Sequence, residues 1–249
     1  MKKLFIIKTG KTFPLIKEKF GDSDQWIKNS LGSKGGSADI PISTIDVVNN
    51  ASFPKIEQCA GIVISGSPSM VTDNEEWSLR IENWIPLLIK AKIPILCICY
   101  GHQLLAKALG GKVDYHPKGR EIGTISIKLF SSCNNDPIFY GLPNSFLVHA
   151  SHSQTVLNLP EKAICLAANS HDPNHAFRFK ECAWGVQFHP EYNDEIMRAS
   201  IHEQANDLRE EKADISYLLS MVKKTPIAAK IPQRFKAFVL ERLKQKLVH

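Results

Sequence analysis

The segment 93–98, IPILCI, carries no polar residue and runs without a spacer into CYGHQLLAKALGG, which has helical periodicity and two closing glycines. A strand without polar alternation must be covered on both faces, and antiparallel sheets with one wet face do not supply that cover. The chain therefore needs a sheet with helices above and below it. Further apolar runs repeat the pattern: LFIIK (4–8), ISTIDVV (42–48) and AGIVIS (60–65). The last is followed by the loop GSPSMVTD, where Asp73 or Asn74 can cap the next helix. That helix places Trp77, Ile81, Trp84, Ile85 and Leu88 in one stripe, with a kink expected at Pro86. The expected fold class is α/β: an open, mostly parallel twisted sheet with helices on both faces. From 112 to 190 the strands become shorter and alternate more, joined by turn-rich loops. After Asn193 the pattern is helical to the end. The expected organisation is one domain over 1–192 and a helical extension over 193–249 packed on it. A Gly/Ser-rich stretch at 30–39 reads as a mobile loop.

At 249 residues, 43% apolar and 22% charged, the chain can bury a sizeable core. Its longest apolar stretch, 85–99, is interrupted by Pro86, Lys90, Lys92 and Pro94, so no membrane span and no membrane partner is expected. The N-terminal apolar run 4–7 is too short for a signal peptide, and a cytoplasmic protein follows. Six cysteines in such a setting read as reduced thiols. The net charge of +6 is concentrated in the last 27 residues, where eight Lys/Arg meet one acid. Without aromatic interleaving this is a solvated helix face, and no nucleic-acid partner is expected.

In open α/β sheets ligands bind beyond the carboxyl ends of the strands, and Cys99 stands at such an end. A nucleophile on a strand–turn–helix elbow needs small neighbours two residues to either side; here they are Cys97 and Gly101. Cys97 belongs to the buried strand, where apolar surroundings raise a thiol pKa, whereas Cys99 meets the helix N-terminus, which favours the thiolate. The N–H of Tyr100 would face an oxyanion formed on Cys99. A packed pair of core cysteines is the bland alternative, and C-x-C-x-x-H lacks the second ligand pair of a metal site. A thiol also needs a base and an orienter. The stretch CAWGVQFHPEY (182–192) supplies His189 and Glu191 on one side of an extended segment.

CICYGHQLLAKALGG together with WGVQFHPEY resembles the motif pair of the class I, triad-type glutamine amidotransferases. ISGSPSMV (64–71) is similar to their oxyanion loop, and HPKGREIGTISI (116–127) with ASHSQTVLNLP (150–160) extends the match over roughly 60–192. Within that family the chain resembles stand-alone proteins related to the amidotransferase domain of GMP synthase. The resemblance implies a flavodoxin-like fold, with Cys99 as nucleophile, His189 as base and acid, and Glu191 as orienter. It implies an oxyanion hole from the N–H groups of Tyr100 and of Ser67 beside Gly66, and a glutamine site from Gln103, Ser151 and His152. Two positions depart from the family pattern. Ser67 replaces the loop's second glycine, and Gln154 stands where synthase domains carry Asp.

Rival sites are weaker. His102 reads as structural, because the elbow points it away from the thiol. His171 and His175 lie in a loop, HEQAN (202–206) lacks a second His, and the glycines at 32–36 lack the Lys-Ser/Thr of a phosphate loop. No metal and no cofactor is expected. The first functional reading is hydrolysis of the glutamine side-chain amide through a Cys99 thioester, with ammonia passing to a separate synthetase or acceptor subunit or released freely. The second keeps the triad for a γ-glutamyl peptidase or hydrolase; the third is a regulatory or binding protein with an idle site.

Overall fold

The computed structural model describes residues 2–32, 39–49 and 51–248; most of the Gly/Ser-rich stretch at 30–39 lies outside them. Five parallel strands form one half of a nine-stranded sheet: β1 (Lys3–Lys8), β2 (Ile42–Asp46), β3 (Cys59–Ile64), β4 (Ile95–Ile98) and β11 (Ala183–Val186), in the order β2-β1-β3-β4-β11. The shorter, more alternating strands complete the other half antiparallel: β10 (Ala176–Phe179), β9 (Ala163–Ala168), β6 (Glu121–Leu129) and β7 (Ser145–His152). A separate ribbon pairs β5 (Lys112–Tyr115) with β8 (Gln154–Asn158). The apolar runs that lack alternation thus form the parallel centre, and the alternating ones build the flank.

Helices cover both faces of the parallel half. On one side lie α3 (Glu76–Lys90) and α4 (Tyr100–Ala108), with Trp77, Ile81, Trp84, Ile85 and Leu88 buried against Ile62, Ile64 and Ile95. On the other, α2 (Ser23–Ser30) contributes Ile27, while α8 (Lys230–Val248) contributes Phe235 and Val239, packed with Leu4, Val63 and Trp184. The helix α1 (Pro14–Phe20) and the α5–α7 series, Asp194–Glu203, Ala205–Glu210 and Ile215–Met221, close over the carboxyl ends of the strands and the start of β6. The expected cap of α3 moves by one residue. Glu75 is the N-cap, because Asn74 takes a left-handed backbone and turns its side chain to the Thr72 carbonyl. No helix among the described residues is long and apolar enough to cross a membrane.

Two histidines are core residues. His102 is wholly buried, 5.0 Å from the Phe177 ring, and burial drives its pKa down to about 3. Burial, helped by the nearby His189, takes His149 down to about 4. Both stay neutral in the fold while the unfolded chain takes up protons near pH 6.5. Their contribution to stability is full above that pH and is lost as pH falls toward the folded values. The expected slope is about 1.4 kcal/mol per pH unit for each histidine. Urea unfolding at pH 7 and at pH 5 should show this fall, and His102→Asn should flatten it.

Candidate active site

Cys99 ends the central strand β4 and caps α4 with φ 50° and ψ −102°, a conformation few non-glycine residues adopt. The turn places its sulfur over the carboxyl edge of the sheet and leaves the N–H of Tyr100, first in α4, without an intrahelical acceptor. The Tyr100 side chain points away, donating its hydroxyl to Ser78 Oγ at 2.6 Å. Cys97, two residues earlier within β4, is wholly buried, and burial pushes its thiol well above the ordinary range. All six cysteines are free thiols.

The strand β11 stops at Val186, earlier than the sequence pattern suggested, and Gln187–Glu191 form the loop beyond it. There His189 N–H bonds the His149 carbonyl at 2.8 Å, and His189 Nδ1 meets Glu191 Oε1 at 2.7 Å. Glu191 Oε2 is buried with no hydrogen-bond partner among the described residues. The imidazole also stacks on Tyr192 at 4.1 Å and 20°, and Tyr192 in turn meets the edge of Trp26 at 5.4 Å. Burial works against charge on His189, but Tyr192, Glu191 and a hydrogen bond with Cys99 outweigh it, so its pKa is held well above the usual imidazole value. Gly66 sits against both: a methyl group there would lie 3.0 Å from His189 Cε1 and 3.5 Å from Cys99 Cβ. The residues Cys99, His189, Glu191, Gly66, Ser67 and Tyr100 are therefore brought together.

Ser67 is accommodated without strain. Neither it nor Gly66 has a positive φ, and Ser67 Oγ accepts the Ser69 N–H at 3.1 Å. Gln154 ties the same loop from across the site, its Oε1 accepting from Val71 N at 3.0 Å and its Nε2 donating to Thr72 Oγ1 at 2.6 Å.

Gln103, Ser151 and His152 all line the cavity of about 530 Å³ that opens over Cys99. Their polar atoms are largely engaged within the protein. Gln103 Nε2 donates to the Gln154 carbonyl and to Gln187 Oε1, and Ser151 Oγ accepts from Gln204 Nε2 at 3.1 Å. His152 places Nδ1 2.9 Å from the Gln154 carbonyl and Nε2 3.1 Å from Glu121 Oε2. Glu121 also lies 2.9 Å from His175 Nε2 and accepts from Asn169 at 2.7 Å. Burial disfavours its charge, yet these partners hold its carboxyl well below the usual range. Among the described residues, Glu121, His152 and His175 form the one group whose donor atoms, all within 4.8 Å, could hold a metal ion. In this structure Glu121 bonds His152 and lies beside His175, which meets the His152 ring edge-on, and the cluster sits at the end of β7 near Cys99. Sequence reading missed it because its members lie far apart in the chain.

The sequence pattern of "Glutamine amidotransferase class-I" matches residues 21–205. The chain belongs to the class I glutamine amidotransferase family. That membership makes it an enzyme of the glutamine amidotransferase type. It is 38% identical over 132 residues to GMP synthase [glutamine-hydrolyzing] of Porphyromonas gingivalis, covering 53% of the chain but 24% of that protein. The chain thus spans about a quarter of the length of such synthases. With a GMP synthase [glutamine-hydrolyzing] subunit of Methanopyrus kandleri it shares 32% over 149 residues, 59% of the chain and 75% of the relative. Gamma-glutamyl peptidase 5 of Arabidopsis thaliana is 29% identical over 199 residues, 78% and 76% of the two chains. The fold is that of a glutamine amidotransferase from Thermotoga maritima, with TM-score 0.74, 20% identity and coverage of 97% and 99%.

Proposed function

We propose that this amidotransferase hydrolyses the side-chain amide of glutamine through a γ-glutamyl thioester on Cys99. The observation that carries the reading is the 2.7 Å Glu191–His189 bond in a buried loop whose imidazole faces the thiol. The Cys99 thiolate attacks the amide carbon, and the charge formed on oxygen is met by the N–H groups of Tyr100 and Ser67. His189, held protonated by Glu191, gives its proton to the leaving nitrogen as the C–N bond breaks and ammonia departs. The neutral imidazole then takes a proton from water, whose oxygen attacks the thioester, and glutamate leaves as the sulfur recovers its thiolate. The Methanopyrus kandleri relative is named as one subunit of its synthase, and such a name implies a partner chain. For this protein a separate acceptor subunit is the corresponding destination for ammonia.

A second reading is favoured by the breadth of the match to the γ-glutamyl peptidase: the leaving group is an amine rather than ammonia, with the same residues at work. Purified protein is to be assayed with glutamine and with γ-glutamyl dipeptides, following glutamate in both. Faster turnover of glutamine supports the first reading and faster turnover of dipeptides the second. Glutamate release from neither, with or without cell extract, overturns both and leaves an idle site.

The charge on His189 yields a pH prediction. Because Glu191 raises the pKa of the imidazole, Glu191→Gln should move the alkaline fall of kcat/KM to lower pH and lower its maximum by about tenfold to a hundredfold. An unshifted profile would separate Glu191 from the chemistry.

A further inference from the structure

Gln187 is wholly buried in the loop between β11 and His189. Its amide lies between two groups: Nε2 is 3.5 Å from Cys99 Sγ, and Oε1 accepts from Gln103 Nε2 at 3.0 Å. A primary amide can be turned either way, so its orientation must be set by a group that cannot flip. The backbone carbonyl of Gln154 is that group, since it can only accept. Gln103 Nε2 donates to it at 2.7 Å, which turns the Gln103 nitrogen inward and leaves its second N–H for Gln187. Gln187 must then present oxygen to Gln103 and nitrogen to sulfur. The sequence of donors is fixed from a backbone atom to the thiol.

We propose that Gln187 is a catalytic donor that stabilises the Cys99 thiolate, and that Gln103 is the positioning residue that aims it. This rests on Cys99 being the nucleophile. The sulfur is nearly buried, and the Ser151 carbonyl, 3.8 Å away on β7, accepts from the thiol but repels the thiolate. From the loop after β11 it is faced by His189, with Glu191 and Tyr192 behind the ring. The helix α4 contributes its N-terminus. Gln187 adds a second side-chain N–H beside the imidazole's, so the sulfur has two donors while it carries charge, both as it attacks and as it leaves the thioester. A hydrogen bond to a charged acceptor is stronger than one to a neutral acceptor, so the donor acts on the ionised sulfur more than on the thiol or thioester.

The test follows alkylation of Cys99 by iodoacetamide against pH in the full chain, read by peptide mass spectrometry so that the other thiols do not interfere. Gln187→Leu removes the donor. Gln187→Glu keeps the shape and still accepts from Gln103, but turns an oxygen toward the sulfur. Both should move the alkylation midpoint to higher pH and lower kcat/KM by about tenfold to a hundredfold. Gln103→Leu frees the Gln187 amide to turn and should shift the midpoint the same way by less. A midpoint unmoved in Gln187→Leu and Gln187→Glu, with circular dichroism of the parent, overturns the proposal; should either variant misfold, an unmoved midpoint in Gln103→Leu overturns it instead. The alkylation readout needs no turnover. Loss of activity in Cys99→Ala with unmoved Gln187 profiles would therefore sink this inference alone, whereas full activity in Cys99→Ala would sink the reading beneath it.

Discussion

Cys99→Ala is expected to lower kcat/KM for the γ-glutamyl substrate by at least about a thousandfold, while Cys97→Ala stays within a few-fold of the parent. Removing a nucleophile that acts with its base as one unit leaves only binding and the oxyanion donors, which is why the loss is so large. The contrast between the two thiols follows from where the elbow puts them. Cys97 lies in the β4 ladder, wholly buried, with its thiol driven to the neutral form by its surroundings. Cys99 stands at the positive-φ apex, faces His189 and opens onto the cavity. The alanine differs from cysteine by one buried atom at a site that already tolerates the backbone, so the unfolding transition should move little. Glutamate release by both variants, with far-UV circular dichroism as the check on folding, gives the comparison.

Gly101→Ala should cost about 1–3 kcal/mol of stability and remove activity with it. The added methyl would lie 2.7 Å from the Ile64 carbonyl oxygen and 3.0 Å from Ile64 Cγ2. The strand β3 cannot retreat, because it is hydrogen-bonded on both sides, to β1 and to β4. The first turn of α4 must move instead, and that turn carries Cys99 and the Tyr100 N–H. Thermal unfolding reads the effect as a drop of several degrees, at about 2–4 °C per kcal/mol for a chain of this size. An unchanged transition would mean that the approach of α4 to β3 has slack the distances do not show.

What could be read in the sequence was what is local. The elbow 97–101 and the triplet His189-Pro190-Glu191 are contiguous, and their chemistry follows from residue type, spacing and the restraint a proline places on its neighbour. The parallel half of the sheet was legible for the same reason: an unalternating apolar run has one kind of home. The antiparallel flank was visible only as a change of rhythm, since pairing partners such as Glu121 and His152 are set by turns and not by either strand alone. The Glu121–His152–His175 cluster, the Tyr192 ring on His189 and the hold of Gln154 on the oxyanion loop depend on side chains that meet only after folding. Gln154, a departure from the family pattern, is the clearest case. Its side chain serves the 66–72 loop and its carbonyl orients Gln103, neither of which residue type or position announces. Ser67 is the converse: a serine where the family has glycine is neutral here because the position keeps a negative φ.

The proposed mechanism passes through a covalent glutamyl intermediate on Cys99. Protein mixed with glutamine or a γ-glutamyl dipeptide and quenched in acid, where thioesters persist, is to be digested and its cysteine peptides weighed. The expected result is a mass gain of one glutamyl group on the peptide holding Cys97 and Cys99, kept in Cys97→Ala and lost in Cys99→Ala. Glutamate release at full rate with the adduct on another cysteine, or with no adduct under any quench time, would contradict it.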